Sequence, residues 1–397
     1  MKIETIRLKN FKTFEDVEFV DVPSFCIVVG ANGTGKTTLF DVFEFLKDCL
    51  TYNVSRALRS RGGFNEVVSR GRADQIISIE LQFRLNISDC ERLVTYLLDI
   101  SQENGNILVE QEILRYKLGT SGSPYHVLHF QRGIGYVAIE KNLTKNDDSS
   151  IWEKHQFELD DSDALAVRAF GQIQRFKEVA ALRKMLENWH VSDVHVNLAR
   201  GSKDATGYAE HLSVSGDNLQ LVANHLYENH REKFNSIIDK MKKRVPGIGA
   251  ISPVFTDDGR LLLKFQDGSF KDPFIDTYVS DGTIKMFAYL VLLHDPSPHP
   301  LLCVEEPENQ LYPNLLIELA EEFRSYAQRG GQVFVSTHSP DFLNAAELDE
   351  VFWLVKENGY TEVRRAKEDE QITAYMNDGD KMGYLWKQGF FEGADPR

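Results

Sequence analysis

At 397 residues, with 42% hydrophobic and 26% charged side chains, the chain can bury more than one core and has the composition of a folded protein, not a disordered one. A formal net charge of −15 excludes a surface that clings everywhere to nucleic acid or anionic lipid, while leaving room for a local basic groove. Cys26, Cys49, Cys90 and Cys303 form no Cys-x-x-Cys pair, Met1-Lys2-Ile3-Glu4 has no apolar run behind it, and no stretch approaches ~18 apolar residues; the expectation is a cytoplasmic protein without disulfides, signal peptide or membrane contact.

Two strands are predicted first, over 3–8 and 25–29, the second a β-branched run of the buried kind. A glycine-rich turn follows, then an amphipathic segment over 37–50. Alternation of Ile77, Ile79, Leu81 and Phe83 predicts a strand over 76–84 with one buried face, and more strands are expected near 106–117 and 126–140. Between 145 and 163 the chain turns polar and acidic (Asn146, Asp147, Asp148, Asp160, Asp161, Asp163), which suggests a boundary. Helical spacing marks 164–188 and 217–244, separated by a Gly/Ser/Asp-rich loop at 200–218 and lacking sustained heptads. Strand patterning returns at Ile251, and then a helix at 282–294, a strand at 301–304, a helix at 313–328 and a strand at 332–336 alternate as in a parallel α/β fold.

Three motifs carry chemistry. Gly30-Ala31-Asn32-Gly33-Thr34-Gly35-Lys36-Thr37 fits G-x-x-x-x-G-K-[ST] directly after a strand and at the start of a helix. Its glycines let backbone N–H groups cradle the phosphates of ATP, Lys36 reaches the β/γ-phosphates and the Thr37 hydroxyl ligates Mg²⁺, with Thr38 beside it. Leu301-Leu-Cys-Val304-Glu305-Glu306-Pro307-Glu308 is an apolar strand ending in acids. Glu305 is expected to hold Mg²⁺ through water, and Glu306 to act as general base toward the attacking water. Val335-Ser-Thr337-His338-Ser339-Pro340 closes the next strand with a histidine that can reach the γ-phosphate at the sheet's carboxyl edge.

The order of these motifs resembles the ABC-type ATPase superfamily, on the branch that holds SMC, RecF-like and OLD-family proteins. Ile6-Arg-Leu-Lys-Asn10-Phe11-Lys12-Thr13-Phe14 looks like that branch's first strand, in which a basic residue at the place of Lys12 lies near the nucleotide. Tyr278-Val-Ser280-Asp281-Gly282-Thr283 resembles its signature motif. By that resemblance Ser280, Asp281 and Gly282 act in trans, Ser280 and the Gly282 backbone touching the γ-phosphate bound to a second subunit. Pro307-Glu-Asn-Gln-Leu-Tyr-Pro313 stands where the branch has its subunit-contact loop. Glu305 departs from the superfamily's usual Asp, and four residues (Gln75, Gln82, Gln172, Gln174) compete for its glutamine loop.

The fold class implied is an α/β, ABC-type P-loop NTPase head with a β-rich flank and a mostly helical insertion. Residues 1–145 and 246–370 form the two parts of the head, 146–245 the insertion and 371–397 a tail. The function implied is ATP hydrolysis by a homodimer that switches a separately encoded nuclease or toxin, in a setting of defence against phage. A RecF- or SMC-type ATPase acting with DNA, or a sensor with little turnover, are the alternatives. Two basic clusters (Arg56, Arg59, Arg61, Arg70, Arg72; Lys240, Lys242, Lys243, Arg244) read either as tracks for a phosphate backbone or as solvated faces. The aromatic residues Tyr384, Trp386, Phe390 and Phe391 suggest a docking surface, for a partner or for the body of this chain.

Overall fold

A computed structural model of the protein describes residues 2–87, 90–116, 124–140, 152–204, 207–270 and 272–394, so that the acidic run Asn146, Asp147 and Asp148 lies outside the described residues. At its centre is a six-stranded sheet in the order His190–Ser192, Leu301–Glu305, Gln332–Ser336, Phe25–Gly30, Val351–Glu357, Tyr360–Arg365. The first five are parallel and the last turns back as an antiparallel hairpin. A parallel sheet covered on both faces needs apolar residues on both, which is why its strands read as unbroken hydrophobic runs. Along Phe25–Gly30 every residue is buried. Cys26 and Val28 join one core with Leu39, Phe43 and Phe334, while Phe25, Ile27 and Val29 join a second with Ile284, Leu290 and Phe323.

An eight-stranded antiparallel sheet flanks the first core, in the order Phe14–Val20, Lys2–Phe11, Ile77–Ile87, Cys90–Glu103, Asn106–Tyr116, Tyr125–Gln131, Ile134–Glu140, Trp152–Glu158. Its inner face is the alternating one, as along Ile77–Ile87, and packs on helix Lys36–Thr51 through pairs such as Phe11–Phe45, with ring centroids 5.6 Å apart. A small sheet of Lys203–Asp204, Arg260–Asp267, Ile248–Phe255 and Phe274–Ile275 packs against the second core through Leu263 and Phe265.

The segment expected as a helical insertion holds Ala166–Phe170, Lys177–Glu187, Val196–Ala199, Leu219–Asn229 and Arg231–Arg244. It also supplies His190–Ser192, which pairs in parallel with Leu301–Glu305 and so extends the central sheet. Its side chains divide between the two cores, Leu182 and Trp189 in the first, Leu226 and Phe234 in the second.

The tail packs on the body of its own chain. Trp386 and Phe391 are fully buried, Trp386 Nε1 donates to Ala394 O at 2.7 Å, and the Phe391 ring meets Trp353 at 5.1 Å. Trp386 is therefore not available to a partner; Tyr384 is exposed. The basic clusters are largely spent inside the molecule. Arg61 bonds Asp41 and Asp48 at 2.6 and 2.7 Å, Arg70 pairs with Glu66, Arg72 with Glu15, and Lys240 and Arg244 hold Glu322. Cys26, Cys49 and Cys303 are buried free thiols. Among the described residues no helix is long and apolar enough to cross a membrane.

Candidate functional site

Strand Phe25–Gly30 delivers the chain into the glycine-rich loop, and helix Lys36–Thr51 starts at its end. No side chain caps this helix and no acid sits in its first turn, so its leading N–H groups and the positive end of its dipole face an incoming anion unopposed. Gly35 has φ +107°, and a Cβ there would come within 2.8 Å of Thr13 Oγ1 and 3.0 Å of Thr361 Oγ1. Thr361, on the hairpin strand, clamps the loop: its N–H donates to Thr13 O at 2.8 Å and its hydroxyl to Thr34 O at 2.7 Å. Asn32 and Gly33 form the exposed outer curve, Ala31 and Thr38 are half-buried, and the Thr34 hydroxyl donates back to Ala31 O.

Lys36 is folded across the loop, its ammonium donating to Gly30 O at 2.8 Å and Ala31 O at 3.1 Å. Burial lowers its pKa, and the carboxylates of Glu306, Glu308 and Glu305 oppose that. Thr37 Oγ1 donates to Glu305 Oε2 at 3.1 Å across the sheet. Burial raises the Glu305 pKa; the Thr37 bond lowers it, while Asp193, Glu306 and Glu44 push it further up. A hydroxyl and a carboxylate crowded by like charge form an all-oxygen pair suited to a hard divalent cation.

Glu306 follows at the mouth of the sheet. Its N–H donates to Ser336 O at 3.0 Å, Asn309 Nδ2 donates to Oε2 at 3.0 Å, and His338 Nε2 lies 3.4 Å from Oε1. Burial and the charge of Lys36 lower the His338 pKa, so the ring is neutral near pH ~7, where an imidazole both donates and accepts. Glu308, deeper in, accepts the His338 N–H at 2.6 Å and ties the acidic turn to the histidine turn. Its pKa is raised by burial, and its Oε2 is buried without a partner.

Lys12 lies against the same helix, with Nζ 2.6 Å from Asp41 Oδ2, one helical turn beyond Thr37. Ser280 caps helix Asp281–Leu293, its Oγ accepting from Thr283 N–H. Arg200 holds this turn through Val279 O and Asp281 Oδ1, both at 2.5 Å. Gly282 packs so close to the 307–313 loop that a Cβ would meet Gln310 O at 2.8 Å. Ser280 and Gly282 line a cleft of about 810 Å³ that includes none of the phosphate-loop residues, and Tyr278 and Tyr312 beside it are 78% and 68% exposed. Within one chain, then, Lys36, Thr37, Glu305, Glu306 and His338 converge, while Ser280 and Gly282 line a different cleft that shares Gln310 with the cavity holding Glu305 and Glu306. Gln172 and Gln174 are exposed between helices, Gln82 lies in the flank sheet and the Gln75 amide meets Asp74, so none of the four is assigned to the glutamine loop.

Sequence reasoning missed Asp193 and His195. They follow edge strand His190–Ser192, and with Lys285, Glu305, Glu306 and Asn309 they line a cavity of about 520 Å³. The three-residue strand that brings them there has no periodicity of its own to detect. Thr361 and Glu308 were equally out of reach, because their roles are contacts with residues far along the chain.

The residues present fit a magnesium nucleotide. Open N–H donors at the start of helix Lys36–Thr51, the Lys36 ammonium beside them, and the Thr37–Glu305 oxygen pair are what phosphates and Mg²⁺ require.

Comparison with known proteins agrees with this geometry. Residues 25–344 match the family described as "AAA domain, putative AbiEii toxin, Type IV TA system". The chain is similar to the DNA replication and repair protein RecF of Idiomarina loihiensis, at 30% identity over 131 residues, which is 28% of this chain and 35% of that protein; the match thus spans about a third of the relative's length. Among solved structures it is similar to an SMC head bound to the C-winged helix domain of ScpA, with a TM-score of 0.55, 13% identity, and 93% and 99% of the two chains covered. The SMC head domain from Thermotoga maritima is matched at a TM-score of 0.43 and 12% identity, over 92% of this chain and 99% of that one. With the family model covering most of its length, the chain belongs to the AAA-domain family that carries the AbiEii-type description, and its fold is that of an SMC head.

Proposed function

We propose that the protein binds ATP with Mg²⁺, hydrolyses it at a site completed by a second copy of itself, and uses the resulting dimer as a switch for a separately encoded nuclease or toxin. One observation carries this reading. The groups for phosphate, metal and water converge within a chain, while Ser280 and Gly282 line a neighbouring cleft, joined to the acid-lined cavity at Gln310, where Tyr278 and Tyr312 are exposed. A γ-phosphate on this loop would therefore lack its covering donors until another subunit brings them.

In the reaction, Lys36 leaves the loop carbonyls for the β/γ-phosphate oxygens, and Glu306 takes the proton of the attacking water while His338 orients it. Thr37 and Glu305 would hold the magnesium, which would supply charge neutralisation at the phosphates. The family description names a toxin of a toxin–antitoxin system, which accords with an effector in cellular defence, and buried free thiols suit the cytoplasm.

The test mixes two inactive variants. Ser280→Arg blocks the partner's site and Lys36→Ala empties its own, so a mixed dimer retains one intact site. Partial recovery of ATPase activity on mixing is the expected result; full activity of Ser280→Arg alone would refute the composite site.

A DNA-directed ATPase is the second reading, favoured by the RecF relative, whose name is that of a DNA replication and repair protein. It predicts stimulation of turnover by DNA. The pairing of Arg61, Arg70, Arg72, Lys240 and Arg244 with acids of the same chain weighs toward the effector reading.

A further inference from the structure

At the amino edge of the central sheet, opposite the phosphate loop, three histidines and an aspartate meet. His190 opens the edge strand, Asp295 and His299 lie in the connection from helix Asp281–Leu293 to strand Leu301–Glu305, and His211 comes from the loop before helix Leu219–Asn229. The ligating atoms of His211, Asp295 and His299 all lie within 4.8 Å of one another. Asp295 and His299 are each 7% exposed, and the sequence offers no motif that announces the cluster, because its members are scattered between positions 190 and 299.

The hydrogen bonds around the cluster set up ligands instead of satisfying them. His299 Nδ1 faces Asn188 O at 3.1 Å, and since a carbonyl only accepts, the ring's proton sits on Nδ1. That leaves Nε2 with its lone pair, buried and without a partner. An orphaned acceptor of this kind costs about 1–3 kcal/mol. An imidazole whose other nitrogen donates to a main-chain carbonyl is the arrangement that orients a metal-binding histidine.

His211 Nδ1 lies 2.6 Å from Asp295 Oδ2. Both are fixed in place: Asn218 Nδ2 donates to His211 O at 2.9 Å, and Ser297 N–H donates to Asp295 Oδ1 at 2.8 Å. His190 is stacked face to face on His299, at 4.6 Å and 13°. A cation in the plane of one ring lies off the plane of the other, so His190 is the wall of the cluster and not a ligand. A cavity of about 450 Å³, lined by His211, Asn188 and Ser297, opens beside the His211 edge of the cluster.

We propose that His211, Asp295 and His299 bind a divalent transition metal, zinc in the first instance, at a site separate from the nucleotide magnesium. Two imidazoles and a carboxylate are a donor set for zinc and not for magnesium. Closing on the ion at about 2.0–2.2 Å requires each ligand to move by less than about 1 Å, and where the metal takes His211 Nδ1 the proton between that atom and Asp295 passes through solvent to the ring's Nε2, which leaves the imidazole neutral. The ion pins the 207–218 loop to the connection that feeds the acidic strand.

The experiment dialyses the full-length protein against zinc and measures bound metal by atomic emission. It is run in the parent and in Glu305→Gln, which excludes metal held at the nucleotide site. Stoichiometric zinc in both is expected, with loss in His211→Asn and in His299→Asn and retention in His195→Asn. Cobalt in place of zinc should give visible d–d bands that His211→Asn removes. His211 is partly exposed, so its variant is expected to fold, and circular dichroism checks that even where His299→Asn does not. A parent that takes up no stoichiometric zinc, or a folded His211→Asn that keeps its zinc and its cobalt bands, overturns the site and leaves the cluster as a packed hydrogen-bonded pair beside neutral histidines.

Discussion

Glu306 adopts φ +40°, a left-handed conformation that costs a non-glycine residue on the order of 1–3 kcal/mol. Its surroundings over-determine it, through the bond to Ser336 O and the Asn309 amide on its carboxylate, and the result aims one carboxylate into the cavity while its neighbour Glu305 faces Thr37. The two acids should therefore fail differently. Glu306→Gln keeps the geometry and removes the base, so turnover should fall by ~10²-fold or more while ATP and Mg²⁺ still bind. Lys36→Ala removes the cation that meets the phosphates, and calorimetry should find ATP binding abolished with the fold intact. If Glu305→Gln spares binding and Glu306→Gln abolishes it, the roles of the two acids are reversed. Residues such as Lys36 and Glu306 were legible in the sequence because a phosphate loop and an acid-ended strand are local patterns. Asp193, Glu308 and Thr361 were not, since each matters through a partner that only the folded chain brings near.

At the scale of elements, the same contrast follows from length. Strands Phe25–Gly30, Leu301–Glu305 and Gln332–Ser336 announce themselves by apolar runs, because both faces are buried. The edge strand His190–Ser192 is too short to show any period, yet it draws the helical segment into the sheet. Another tie between that segment and the rest is Glu112 on the flank sheet, fully buried, which accepts from Tyr96 Oη at 3.0 Å and from the N–H groups of Ala166 and Val167 at 2.5 and 3.1 Å. Burial raises its pKa from 4.5 to about 7, and the three donors oppose that without winning. The folded carboxyl thus holds its proton more tightly than the unfolded one. This contribution to stability is fully present below the unfolded value and is lost as pH rises through about 7, a change of up to about 3 kcal/mol. Glu112→Gln removes the titration and turns one N–H of its amide toward donors, at a cost of about 1–3 kcal/mol. Urea midpoints should favour the parent clearly at about pH 5 and by much less at about pH 8; an equal gap at both values would show that Glu112 does not titrate there.

At the scale of the whole molecule, the central sheet divides two cores: the core residues from Leu39 to Trp189 lie in the first and those from Val194 to Leu293 in the second, and segments far apart in sequence close each one. The tail illustrates the consequence. Its aromatic residues left two readings open in the sequence, a surface for a partner or for the body of the chain, and the structure buries Ile372, Met382, Leu385, Trp386 and Phe391 in the second core. Trp386 also has its indole N–H satisfied within the tail, by Ala394 O at 2.7 Å. Deleting residues 371–397 should then expose Trp353 and Val355, which the tail covers, and open the sheet beside the phosphate loop. Loss of a single buried aromatic costs about 3–5 kcal/mol, so Trp386→Ala alone should lower the urea midpoint strongly, and the full deletion should leave a protein that is insoluble or melts without cooperativity. Tyr384, exposed on the same helix, provides the control: Tyr384→Ala should leave the midpoint within about 0.5 kcal/mol of the parent. A truncated chain that stays soluble, melts cooperatively and hydrolyses ATP at the parental rate would show that the tail is dispensable to the fold, and would return its aromatic face to the role of a detachable docking segment.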